Sequence, residues 1–325
     1  MPEGDSVWRA AAQLHKALAG QTLTASDFRV PRFATLNLAG WTVTEVVPRG
    51  KHLLMRVQGP DLPVLDQQVK DEHRPDEQVG GYHLAGSRGR QASGPQATEQ
   101  RRLTIHSHLK MEGSWQVYPP GGRWRKPGFT ARCVLRTPVA DVVGFSLGIV
   151  EVVRTADEDK IVGHLGPDLL GPDWDLAEAE QRIRAAPEVP IGVALLDQRN
   201  LAGIGNIYRC EACFLSGVHP ATPVSAVQDL RTLMTDAKQL LEANLGPGRR
   251  VTILNPRGMP VGRMAGRPGY WVYRREHQPC LKCGTPIRRS VLGKLNGEEE
   301  RDIYFCPTCQ PLVDQPPASR GWPGT

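Results

Sequence analysis

The second and third residues, Pro2 and Glu3, have the chemistry of an amine nucleophile with a proton carrier beside it. Proline is small enough for Met1 to be trimmed, which would expose a secondary amine able to condense with an aldehyde or a sugar C1′. An α-amino group titrates at about pH 8 in model peptides, well below lysine, so more of it is reactive at neutral pH. Glu3 carries a carboxyl suited to moving protons. The same pair also fits an ordinary helix start, where proline is pre-shaped and an acidic side chain meets the helix dipole.

A second constellation lies near the other end. Of seven cysteines, four fall in Cys280-x2-Cys283 and Cys306-x2-Cys309, with 22 residues (284–305) between the pairs. Two such turns bring four thiolates to one tetrahedral zinc ion. Four thiolates leave no open coordination position, so the expected zinc is structural. The intervening segment reads as a β-hairpin, with Asn296-Gly297 as its turn. Cys210 and Cys213 sit in a predicted helix with no second pair to complete a site, and Cys133 reads as a buried strand residue. The N-terminus lacks a basic stretch followed by an apolar one, so a cytoplasmic protein with metal-bound thiols is expected, not a secreted one with disulfides.

The elements that must position these groups change along the chain. Residues 3–19 predict a helix, with Val7, Ala11, Leu14 and Leu18 on one face. Strand patterns follow at 41–47, 52–57, 103–108, 114–118, 131–136, 142–146 and 149–153, which predicts a β-sandwich. Residues 59–102 are polar, rich in Gly, Pro and Gln and without period, and read as a disordered insertion. Helices are predicted at 176–185, 190–196, 205–216 and 225–244, before a Pro/Gly-rich connector at 246–268. The expected fold is α+β and multidomain. It comprises an N-terminal helix plus β-sandwich (1–154), a helical region (155–268), a zinc-finger hairpin (269–312) and a flexible tail (313–325).

Composition narrows the function classes. Hydrophobic residues make up 40% and charged residues 23%, ordinary for a globular chain, and no apolar run approaches the roughly 20 residues of a membrane span. Lys plus Arg outnumber Asp plus Glu by 40 to 34, with arginines concentrated from Arg249 to Arg301. That excess permits a polyanionic partner without requiring one.

Several motifs, in order, resemble the family of formamidopyrimidine-DNA glycosylase and endonuclease VIII. The start MPEGD is similar to the endonuclease VIII branch. Arg49-Gly-Lys-His52 resembles the family's hairpin with an essential lysine, Lys51. His108-Leu-Lys-Met-Glu-Gly113 resembles the loop that enters DNA, and residues 195–208 resemble the helix-two-turn-helix motif. Arg301 occupies the place of the zinc-finger arginine. The resemblance implies a monomeric bifunctional glycosylase and abasic-site lyase acting on double-stranded DNA in base excision repair. Pro2 would attack C1′ of an oxidised nucleotide, pyrimidines foremost. Glu3 would carry protons, Lys51 would hold the phosphate beside the lesion, and β,δ-elimination would cut the strand. Asn206 and Arg301 would grip a phosphate, and Met111 would fill the gap left by a flipped base. Asn206 also reads as a helix N-cap or as the start of a phosphate-binding helix N-terminus, and Met111 as a core residue. A non-catalytic zinc-containing DNA-binding protein on the same fold is the alternative.

Overall fold

The structure, a computed structural model, describes residues 2–60, 102–255, 258–261, 268–293 and 300–312. The expected tail at 313–325 lies outside the described residues, as does the expected insertion apart from Gly59, Pro60 and Arg102.

The apolar stripe Val7, Ala11, Leu14 and Leu18 forms the buried face of helix α1 (Gly4–Leu18). Gly20, with φ +77°, follows its end in the left-handed conformation that glycine adopts most cheaply. Eight strands follow: β1 (Ala25–Phe28), β2 (Thr42–Arg49), β3 (His52–Gln58), β4 (Arg102–His108), β5 (Ser114–Tyr118), β6 (Ala131–Arg136), β7 (Asp141–Phe145) and β8 (Ile149–Arg154). They form two antiparallel four-stranded sheets, ordered β2-β3-β4-β8 and β1-β6-β7-β5. Val43, Leu53, Met55 and Ile105 of one sheet share a core with Phe28, Cys133, Leu135 and Val142 of the other, and the α1 stripe joins it. Each such buried side chain contributes about 1.5–3 kcal/mol relative to exposure. The sandwich is the one the strand patterns predict.

Strands β3 and β4 pair without interruption from His52↔His108 to Gln58↔Arg102. Residues 59–101 therefore connect a regular hairpin, and Arg102, expected in the insertion, is already strand. A long connection there leaves the register intact, because closure entropy grows only slowly with length.

The chain then turns helical: α2 (Asp159–Val162), α3 (Leu176–Arg184), α4 (Ile191–Ala194), α5 (Asn206–Leu215) and α6 (Leu230–Glu242). The last helix begins later than the expected Ser225. A 3-10 turn occupies Val224–Ala226, and the Asp229 side chain caps α6 by accepting from Thr232 N. Helix α5 is buried along both flanks. Tyr208, Ala212 and Cys213 join a core with α3, α4 and α6, while Ile207, Cys210 and Phe214 pack on Val272, Ile287, Tyr304 and Cys306. Strands β9 (Arg288–Leu292) and β10 (Arg301–Phe305) form the C-terminal antiparallel hairpin. No helix among the described residues is long and apolar enough to cross a membrane.

Candidate active site and nucleic-acid interface

Glu3 precedes α1 but caps a different helix. Its fully buried carboxylate accepts from Gly205 N (3.0 Å), Ile207 N (2.8 Å) and Tyr208 N (3.3 Å), the opening turn of α5. These are donors that a helix leaves unmatched. Two glycines make the approach possible: Gly4 N donates to Gly203 O at 2.8 Å, and a Cβ on Gly205 would stand 2.5 Å from Glu3 Cδ. Burial pushes the Glu3 carboxyl up, against the pull of Arg250, Lys51 and the Ile207 N–H. A carboxyl raised in this way can both take and return a proton beside the half-buried Pro2. The helix-start reading of Asn206 changes accordingly. Gly205 is the N-cap of α5, and the backbone N–H groups that would suit a phosphate are occupied by Glu3.

Lys51 is the second residue of the two-residue turn between β2 and β3. Gly50 has φ +57°, its N–H donates to Asp168 Oδ2 at 2.6 Å, and a Cβ there would press on Ala202 Cβ at 3.0 Å. Asp168 Oδ1 accepts from Leu170 N at 3.0 Å, and Arg49 donates to Gly166 O at 3.1 Å. The turn is thereby docked on the loops that precede α5. Burial pushes Lys51 down to about 8, with Arg301 and Arg209 adding to the effect and Glu3 opposing it. Pro2–Glu3, Lys51 and the start of α5 thus converge although the sequence separates them widely.

Asn206 is nearly buried, and its Nδ2 donates to Asp302 O at 2.9 Å across to β10. Arg301, the residue before, is exposed at the start of that strand. Met111 is 59% exposed, which removes the core reading. It tops a tight turn closed by Gly113 N donating to Leu109 O at 2.9 Å, while Leu109 anchors the turn in the core.

The four cysteines form the one cluster of metal-ligating groups among the described residues, with all sulfurs within 4.8 Å of one another. Two pairs lie at 3.4 Å (Cys283–Cys306) and 3.9 Å (Cys280–Cys309). Thiolates on a tetrahedral zinc at about 2.3 Å stand roughly 3.8 Å apart, so the set fits. Lys282 N and Cys309 N each point at a knuckle sulfur, Cys280 and Cys306 respectively, at 3.4 Å. Gln310 ties the second knuckle to the end of the α5 region, donating to Val218 O at 2.8 Å and accepting from Cys306 N at 3.0 Å. Cys133, Cys210 and Cys213 are fully buried outside this cluster.

Several residues here escaped the sequence reading. Asp5 and Arg250 form a buried ion pair, with Arg250 Nε on Asp5 Oδ2 at 2.8 Å, which ties α1 to the connector. His52 and His106 stack, with Nδ1 to Nε2 at 2.8 Å, and His106 reaches Glu151 at 3.1 Å. Burial holds His52 at about 3 and His108 at about 4, so both rings are neutral at neutral pH. Alternation along β3 and β4 could have paired these histidines. Nothing local marks Asp168. Glu211, fully buried on α5, accepts from Trp271 N (2.7 Å), Val272 N (2.9 Å) and Tyr273 N (2.8 Å), a structural duty.

Comparison with known proteins bears on the family and the fold. Residues 165–253 match the formamidopyrimidine-DNA glycosylase H2TH domain. The "Probable endonuclease 8 2" of Streptomyces coelicolor is 46% identical over 315 residues, covering 95% of this chain and 94% of that protein. The "DNA-(apurinic or apyrimidinic site) lyase Nei2" of Mycolicibacterium smegmatis is 38% identical, over 95% of this chain and 99% of that one. A Lactococcus lactis formamidopyrimidine-DNA glycosylase structure, at 19% identity, superposes with a TM-score of 0.65 over 95% of this chain and 99% of its own, and so shares the fold. With this identity over nearly the full length of both chains, the protein belongs to the formamidopyrimidine-DNA glycosylase and endonuclease VIII family.

Proposed function

We propose that the chain is a DNA glycosylase and abasic-site lyase of base excision repair. It acts as a monomer on double-stranded DNA that carries oxidised bases, pyrimidines foremost. The observation that carries this reading is the capture of Glu3 by the first turn of α5, which holds the N-terminal segment beside Lys51. DNA binding alone would need neither. The names of the endonuclease 8 and lyase relatives support the class of reaction.

In this mechanism the Pro2 nitrogen, freed of Met1, attacks C1′ and the bond to the damaged base breaks, the base leaving with the electron pair and taking up a proton. Glu3 protonates the sugar ring oxygen as the ring opens, and the amine proton is released as the C1′ iminium forms. The iminium acidifies the C2′ proton; its loss expels the 3′ phosphate, and a second elimination expels the 5′ phosphate. Lys51 neutralises the phosphate beside the lesion. Asn206 and Arg301 hold the backbone, and the exposed Met111 fills the emptied stack. A bound zinc ion would fix the β9–β10 hairpin and with it Arg301.

The test is borohydride reduction during incubation with abasic-site DNA. A covalent adduct that maps to Pro2, and is missing when Met1 is retained, supports the mechanism. Salt-sensitive DNA binding without any adduct would leave a binding protein on a repair-enzyme fold. Duplexes carrying thymine glycol or 8-oxoguanine then decide base preference, with faster release of the pyrimidine expected.

A further inference from the structure

Arg209 is a fully buried arginine on α5. Its Nη1 donates to Gly192 O at 3.3 Å, and its Nη2 to Asp302 O at 3.1 Å and to Asn206 Oδ1. Among the described residues no carboxylate forms an ion pair with it. A buried cation held by neutral acceptors is costlier than an apolar side chain of similar size, so stability is a poor reason for its presence. Its geometry offers a better one. A guanidinium carries donors alone, so the Asn206 atom facing it must be the oxygen, and the amide cannot flip. The Asn206 nitrogen is thereby aimed at Asp302 O, the same carbonyl that Arg209 holds, and one of its two N–H groups is left over. Asp302 directly follows Arg301 on β10.

We propose that Arg209 is a positioning residue for the DNA backbone. It fixes the orientation of the Asn206 amide and ties it to β10, so that the remaining Asn206 N–H and the Arg301 guanidinium meet one phosphate as a preset pair. The inference rests on the DNA-binding reading above. Preset donors lose less freedom on binding, which raises affinity without touching the chemical step.

The test is a double-mutant cycle between Arg209 and Asn206, read with a duplex carrying a tetrahydrofuran abasic analogue. Arg209→Lys keeps the charge but not the planar fork. It should weaken binding about tenfold, the worth of one charge-assisted hydrogen bond. Zinc content and the single-turnover rate at saturating abasic DNA should stay as in wild type. In an Asn206→Ala background the same change should cost less than about twofold. Equal losses in both backgrounds, or no loss in either, overturn the assignment. If Arg209→Lys does not fold, the wild-type chain still gives an answer. The Asn206 side-chain amide protons should be slow to exchange with solvent, one of them shifting when duplex is added; fast exchange or the absence of a shift overturns the proposal. A wild-type chain that neither binds the duplex nor forms a borohydride adduct sinks the functional reading and this inference with it. A wild-type chain that does both, with uncoupled variants, sinks the Arg209 assignment alone.

Discussion

Glu3 has nowhere to go: three backbone donors hold its oxygens and Gly205 faces its Cδ. Gly205→Ala should therefore act as an active-site substitution made without changing any reacting group. A single-turnover assay on abasic DNA should show a loss of about 100-fold or more, the scale of a misplaced proton carrier. Urea titration should show about 1–3 kcal/mol of lost stability from the overpacked contact. Lys51 makes a pH prediction. Burial holds it at about 8, so its positive charge fades above that pH in the free protein. The kcat/KM profile should fall on the alkaline side near pH 8, and Lys51→Arg should move that limb upward. The stability signature has the opposite sign. Between about pH 8 and 10.5 the folded chain gives up the Lys51 proton before the unfolded chain does, so this group's contribution to stability rises through that window.

At the scale of elements, the four-thiol cluster joins the β9–β10 hairpin to the region after α5. Zinc chelation should loosen that hairpin while the sandwich, which has its own core, stays folded. Far-UV circular dichroism should retain its strand signal as affinity for abasic duplex falls at least about tenfold; unchanged affinity without metal would contradict this role for the hairpin. The same elements show what the sequence could and could not reveal. Runs of β-forming residues broken by Pro and Gly found seven of the sandwich strands within a residue or two. The short β1, with mixed burial, gave no comparable pattern. The start of α6 was misplaced because local helix pattern ran past the Asp229 cap. At the site, Pro2, Glu3 and the cysteines were legible from their types and spacing. Lys51, Asn206 and Arg301 were legible through family motifs. Asp168, Arg250 and Arg209 were not, since their partners lie 118, 245 and up to 93 residues away and no local pattern encodes such a distance.

Across the whole molecule, a net charge of +6 is modest, so affinity must come from a few well-placed cations more than from a general field. Arg301→Ala should lower the slope of log affinity against log salt by about one, the signature of one lost phosphate contact. Anisotropy titrations across a salt series would check it; a uniform drop in affinity with an unchanged slope would place Arg301 away from the phosphates.

The bond between Glu3 and Gly205 spans 202 residues of chain. Ribosomes add about 5–20 residues per second, so roughly 10–40 s pass between the emergence of the two partners. During that time the sandwich has what it needs to fold, and aminopeptidase can reach Met1, but Glu3 has no helix to cap. On the proposed mechanism, the nascent chain would thus carry its amine without a proton carrier in place. In that mechanism the capacity to cut DNA would be assembled only after Gly205 has emerged, which would keep an incomplete enzyme from opening strands that it could not yet hold.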